Sequence, residues 1–206
     1  MGLVIGIVGG IGSGKSAVSS AFADRGAFVL DADQAGHEAL NDPEVCQILI
    51  QKWGENAFSS DSEGILRPDR SKIAKIVFEP SENGKKALKF LNETIHPVIR
   101  KRLREDLQRL KSENYPLIIL DAPLLFEASC DSLCDRILFV DTDEEERFRR
   151  VQKRGWSREE FKNREKSQLS LEKKRKKADC IIDNNQTYER MVLQIEDLIG
   201  SLNKGN

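Results

Sequence analysis

The chain has 206 residues, 39% of them hydrophobic and 33% charged, with a net charge of −1. That length and balance allow one α/β core with insertions and exclude a disordered or membrane-embedded chain. The charge is uneven: residues 147–177 hold fourteen Lys and Arg against four Glu, a basic segment that suits a phosphate-rich ligand as readily as nucleic acid.

The first element is a strand over Leu3–Val8, apolar throughout, as expected of a parallel sheet covered on both faces. No basic residues precede it and it runs into glycines, so it is not read as a signal peptide. Gly6 also stands where a myristoylation signal needs Ser or Thr. It ends in Gly9-Gly10-Ile11-Gly12-Ser13-Gly14-Lys15-Ser16, which satisfies the P-loop pattern G-x-x-x-x-G-K-S/T. Glycines let backbone N–H groups turn inward as an anion nest, and the following helix, continuing through Ala17–Ala23, directs its positive dipole end at the same phosphates. Gly10, Ile11, Gly12, Ser13, Gly14, Lys15, Ser16 and Ala17 are therefore the expected ATP contacts. Lys15 reaches the β- and γ-phosphates, and the Ser16 hydroxyl ligates Mg²⁺.

A second strand, Ala27–Leu30, leads into Asp31-Ala32-Asp33. One of these acids can accept a proton from a phosphoryl acceptor while the other caps the helix expected from Gln34; residue chemistry alone does not choose between Asp31 and Asp33. Between Gln34 and Asn114 nothing resembles a strand. The span reads as several helices, broken near Pro43, Gly54–Gly64, Pro68 and Pro80–Gly84, and forms an inserted helical region. Strand Leu117–Leu120 ends in Asp121, the hydrophobic-run-then-Asp form of a second Mg²⁺ anchor. Strand Ile137–Val140 follows. The segment Gly155–Lys177 is charged and poorly periodic, and within it Lys173–Lys177 is a basic run read as a solvated helix end. Cys180–Ile182 is a weak fifth strand, and Thr187–Leu202 is a closing amphipathic helix. Disorder is expected after Leu202. Cys46, Cys130, Cys134 and Cys180 have no metal-knuckle spacing and are read as reduced thiols of a cytoplasmic protein. No stretch approaches transmembrane length.

The P-loop, Asp31-Ala32-Asp33, His96-Pro97, Asp121-Ala122-Pro123-Leu124-Leu125-Phe126-Glu127 and Ala178-Asp179-Cys180-Ile181-Ile182-Asp183-Asn184 together resemble the dephospho-CoA kinase family, in order and over nearly the whole chain. D-x-P-L-L-F-E is the most specific piece, since general P-loop enzymes lack it. The resemblance implies an α/β P-loop NTPase fold of three layers with a five-stranded parallel sheet, a helical CoA-binding insertion and a lid. In those terms residues 1–33, 115–150 and 178–206 are the nucleotide-binding core, 34–114 the insertion and 151–177 the lid. It implies transfer of the ATP γ-phosphate to the ribose 3′-hydroxyl of dephospho-CoA, with Mg²⁺, and Asp33 as general base. A closing arginine stabilises the charge on a transferred phosphoryl group, and Arg150, Arg154, Arg158 and Arg164 are the candidates with Gly155 as hinge. Arg150 and Arg154 are taken as catalytic because they lie where lid arginines begin in similar kinases, and Asn184 opens the loop that approaches adenine. His96 and Arg100 match H-P-x-x-R near the acceptor, with His37 and Glu127 as further acceptor contacts; His96 could instead cap a helix opened by Pro97. Ala17 departs from the family's usual Thr. The expected partners are small molecules, with no nucleic acid or membrane, and a monomer or weak homo-oligomer. Another small-molecule P-loop kinase would lack the D-x-P-L-L-F-E segment, and a nucleic-acid ATPase rests on the basic segment alone.

Overall fold

The computed structural model describes residues 2–204. The chain divides into two compact units: residues up to Ala32 with those from Asp106 onward, and Asp33–Glu105.

The first unit starts with β1 (Leu3–Gly9), α1 (Lys15–Ala23) and β2 (Phe28–Asp31). The second contains α2 (Ala32–Ala39), which begins on the last residue of the first, then α3 (Pro43–Trp53), β3 (Phe58–Ser60), β4 (Leu66–Pro68), α4 (Arg70–Val77) and most of α5 (Glu82–Ser112). The chain then returns to the first unit with β5 (Leu117–Asp121), β6 (Arg136–Asp141), α6 (Glu144–Gln152), α7 (Arg158–Lys166), α8 (Leu171–Lys176), β7 (Cys180–Asp183) and α9 (Tyr188–Lys204).

In the first unit the strands form a parallel five-stranded sheet in the order β2-β5-β1-β6-β7. The β-branched run Val4, Ile5, Ile7 and Val8 takes the central strand because it is buried on both faces. On one face Val18, Ala21 and Phe22 of α1 join Met191 and Ile195 of α9 against Ile5, Ile7, Ile119, Leu138 and Val140. On the other, a Cβ on Gly6 would lie 2.7 Å from Cys134 Sγ and 2.8 Å from Leu125 Cδ2, so residues 122–134 lie directly on the sheet. Burial pushes the Cys134 thiol up to about 12, and all four cysteines are free thiols. A thiol so shifted stays protonated at neutral pH and is a poor nucleophile.

The second unit has its own core of Val45, Leu49, Ala57, Phe58, Ile73, Val77 and Leu91. It corrects the sequence reading in two places. Residues 58–68 form an antiparallel hairpin, Phe58 pairing with Pro68 and Ser60 with Leu66. Its strands are three residues each, too short to show alternation, and its turn is built on the Asp61 carboxylate, which accepts from the Glu63 and Ile65 amides. The Ile65 amide and Arg67 hold that carboxyl below its usual range. Pro97 lies inside a continuous α5 rather than opening a helix, so His96 is not a helix cap.

Three further expectations shift. The helix expected from Gln34 begins at Ala32, which puts Asp33 in its first turn. The poorly periodic Gly155–Lys177 holds two short helices, started by Ser157 and Ser170, whose side chains accept from the Glu160 and Lys173 amides. The closing helix continues past Leu202 to Lys204, and the rest of the tail lies outside the described residues.

Candidate active site

The loop between β1 and α1 is the best-defined feature of the first unit. Gly12 and Gly14 have φ of 75° and 89°, left-handed conformations that residues with a Cβ adopt at a cost. Gly10 is constrained differently: a Cβ there would sit 2.7 Å from Arg147 Nη1. The Ser13 amide donates to the Gly10 carbonyl at 3.1 Å, and Ala17 and Val18 amides donate to Gly14, starting α1. Lys15 Nζ donates across the loop to the Gly10 carbonyl at 3.3 Å.

The loop is held from outside through its carbonyls. The Ser13 carbonyl accepts from Thr142 Oγ1 at 2.9 Å, Arg150 Nη1 at 3.0 Å and Asn184 Nδ2 at 2.8 Å. Arg147, buried at 3% exposure, donates to the Thr142 carbonyl at 3.0 Å and the Ile11 carbonyl at 3.3 Å, pairs with Glu165 of α7, and lies over the Phe161 ring. Sequence reasoning missed Arg147. Its signal was an arginine four residues from Val151, and so on the same face of α6 as a buried aliphatic residue.

The expected basic residues divide by what they touch. Arg150 spreads its guanidinium over the Ser13 and Asn184 carbonyls and Glu146. Arg158 pairs with Glu145 and stacks on Phe148, and Arg164 pairs with Glu160 and stacks on Trp156. Arg154 is exposed and has no ion pair among the described residues. It lies next to Gly155, whose φ of 88° ends the α6 turn. Asn184 is buried: its amide NH₂ holds Ser13, its own N–H donates to the Asp141 carbonyl at 2.8 Å, and its carbonyl accepts from Arg150.

Two acids stand at the carboxyl ends of adjacent strands. Asp31 of β2 and Asp121 of β5 are register partners. This is where open α/β sheets place their ligands. Asp121 Oδ2 accepts from Ser19 Oγ of α1 at 2.8 Å, which orients the carboxylate. Ser16 is exposed in the first turn of α1. Among the described residues no cluster of three metal-ligating side chains exists.

Within the second unit, Asp33 and His37 are exposed and one helical turn apart on α2, and His96 and Arg100 are one turn apart on α5. The two helices touch there: Gly36 faces Ile99 at a distance with just enough room for a methyl group, and Arg102 pairs with Glu38 at 3.0 Å. The sequence thus places two polar pairs on packed helices of one unit.

Glu127 is partly buried, with 22% of its side chain exposed. Its Oε1 accepts from the Leu169 amide at 2.7 Å and lies 3.5 Å from Lys174 Nζ. Lys174 is 1% exposed and also donates to Gln168 Oε1 at 3.0 Å and the Pro123 carbonyl at 3.4 Å. One member of the basic run is therefore a core cation that ties α8 to the loop after β5. Lys174→Met is expected to lower unfolding free energy by about 3 kcal/mol, since it leaves an enclosed carboxylate without its counter-charge. Urea titration checks this, and a loss below about 1 kcal/mol would show that the pair is dispensable.

The strand order, the braced glycine-rich loop and the carboxylates at the sheet's carboxyl edge define a P-loop nucleotide-binding protein. A family model described as dephospho-CoA kinase matches residues 3–189. A dephospho-CoA kinase of Carboxydothermus hydrogenoformans is 39% identical, covering 93% of this chain and 90% of its own. One of Oceanobacillus iheyensis is 35% identical, covering 98% and 99%. The solved dephospho-CoA kinase from Campylobacter jejuni superposes with a TM-score of 0.72 at 29% identity, over 100% of both chains. The chain belongs to the dephospho-CoA kinase family.

Proposed function

We propose that this enzyme transfers the γ-phosphate of ATP to the ribose 3′-hydroxyl of dephospho-CoA, the last step of coenzyme A synthesis. The observation that carries the reading is the braced loop in front of α1, in a chain matching the family over residues 3–189. With its carbonyls engaged from behind, the loop offers amides and a helix N-terminus to the triphosphate, residues Gly10 to Ala17 forming the cradle. Lys15 exchanges the Gly10 carbonyl for the β- and γ-phosphates.

The Ser16 hydroxyl and Asp121 carboxylate are hard oxygen donors, and Asp121 is already oriented by Ser19. Such a pair fits Mg²⁺, which keeps most of its waters and takes one or two protein oxygens beside the substrate phosphates. When bound it neutralises charge on the β- and γ-oxygens. Asp33 accepts the proton of the attacking hydroxyl. His37, His96 and Arg100 contact the acceptor, and Arg154, exposed, without an ion pair among the described residues and beside Gly155, moves to the transferred phosphoryl group as the site closes. Arg150 acts on catalysis through the loop and the Asn184 backbone that it holds, and that backbone is the adenine contact.

The test is ADP release with Mg-ATP in the presence of dephospho-CoA, adenosine, AMP or shikimate. Strong stimulation by dephospho-CoA, with product phosphorylated at the ribose 3′ position, is the expected result. Stimulation by another acceptor alone would reassign the substrate and leave the nucleotide site intact.

A further inference from the structure

The charges at the start of α6 and the end of α7 follow the helix dipoles, with two exceptions that touch each other. Glu144, Glu145 and Glu146 open α6, and Arg164 and Lys166 close α7, as the dipole favours at each end. Arg147 follows those glutamates in α6, and Glu165 stands between those two cations in α7, so the dipole opposes each charge. Neither is placed for the benefit of its own helix. Each meets the other instead: Arg147 Nη1 donates to Glu165 Oε1, with the arginine enclosed and the glutamate side chain 21% exposed.

The same guanidinium reaches the glycine-rich loop. Nη1 donates to the Ile11 carbonyl at 3.3 Å and Nε to the Thr142 carbonyl at 3.0 Å, while a Cβ on Gly10 would meet Nη1 at 2.7 Å. In a planar trans peptide the C=O and N–H point in opposite directions. An arginine that fixes the Ile11 carbonyl therefore turns the Gly12 amide to the opposite face of the loop. Thr142 passes the contact on: its hydroxyl donates to the Ser13 carbonyl, which sets the Gly14 amide in the same way. Pairs of Arg158 with Glu145 and of Lys162 with Glu144 also join α7 to α6, but at exposed side chains. Arg147 carries the link from α7 on to the loop.

We infer that Arg147 and Glu165 are a positioning pair for the nucleotide: α7, through Glu165, holds Arg147 on the Ile11 carbonyl and so aims the Gly12 amide at the phosphates. The inference rests on the loop being the ATP site. Nucleotide affinity and the seating of α7 are then one linked equilibrium. The factor by which a seated α7 tightens nucleotide binding equals the factor by which nucleotide seats α7. Both residues act through the main chain of the loop.

The test measures MgADP affinity by calorimetry, and amide hydrogen exchange across α7 with and without MgADP. In the wild-type chain MgADP is expected to slow exchange of α7 about fivefold. Glu165→Gln keeps an acceptor for Arg147 but removes the charge. It is expected to weaken MgADP about fivefold and to bring the slowing below about twofold. Arg147→Lys keeps the charge but cannot span carbonyl and carboxylate at once, and the same loss of slowing is expected from it. Glu145→Gln, which breaks an exposed α6–α7 pair, is expected to leave both readouts within about twofold of wild type. A purely structural pair would speed exchange equally with and without nucleotide. Wild-type slowing in either Glu165→Gln or Arg147→Lys, or unchanged MgADP affinity in Glu165→Gln, therefore overturns the inference and leaves the loop as the ATP site. Failure of the wild-type chain to bind MgADP would sink the reading of the loop, and this inference with it.

Discussion

Replacing Lys15 by alanine is expected to lower kcat/KM by about 10³-fold or more. The loop's amides are fixed dipoles, whereas Lys15 is a full charge on a flexible stem that can follow the γ-phosphate as it leaves. Losing one uncharged donor from such a site costs about 10²- to 10³-fold, and a full charge in a water-poor cleft is worth more. Lys15→Arg is expected to fail almost as badly, because a planar fork cannot occupy the point position of an ammonium. The loop's bracing is carried by Thr142, Arg147, Arg150 and Asn184, so the circular dichroism melt of Lys15→Ala is expected to match wild type. Retention of more than about a tenth of wild-type kcat/KM would remove Lys15 from the transition state.

Asp33→Asn is expected to reduce kcat by about 10²- to 10⁴-fold, with a much smaller change in KM. The amide keeps the size and one acceptor oxygen of the carboxylate but cannot take up the hydroxyl proton. Asp31→Asn serves as the comparison, because Asp31 ends β2 as the register partner of Asp121 while Asp33 lies within the first turn of α2. A large kcat loss in Asp31→Asn with near-normal Asp33→Asn would transfer the base role to Asp31.

Much of this molecule is legible in its sequence where chemistry and pattern coincide. The five parallel strands are continuous apolar runs, and each was found to within about two residues because a two-faced sheet requires that composition. The anion loop was equally plain, since few other uses explain four glycines before Lys-Ser. The hairpin at 58–68 was hidden because its strands are three residues each, too short to alternate, and its turn is built on one aspartate. Arg147 and Lys174 were hidden for a different reason. Each stands among several basic neighbours, and burial of one cation depends on partners far away in sequence, Ile11 and Glu165 for the first, Glu127 and Pro123 for the second. Local pattern cannot report contacts that span from 18 to 136 residues of chain.

The three donors on the Ser13 carbonyl have a consequence for how this sequence can change over time. That position contributes to the loop through its main chain, while its hydroxyl is buried without a partner and faces Gly9, where a Cβ would lie 2.6 Å from it. Alanine at residue 13 is therefore expected to keep the bracing, whereas a side chain at residue 9 would collide with the Ser13 hydroxyl. The selective burden falls instead on Thr142, Arg150 and Asn184, whose side chains are turned onto the protein's own backbone. Substitutions there would weaken ATP binding even though none of the three side chains is assigned a contact with the nucleotide.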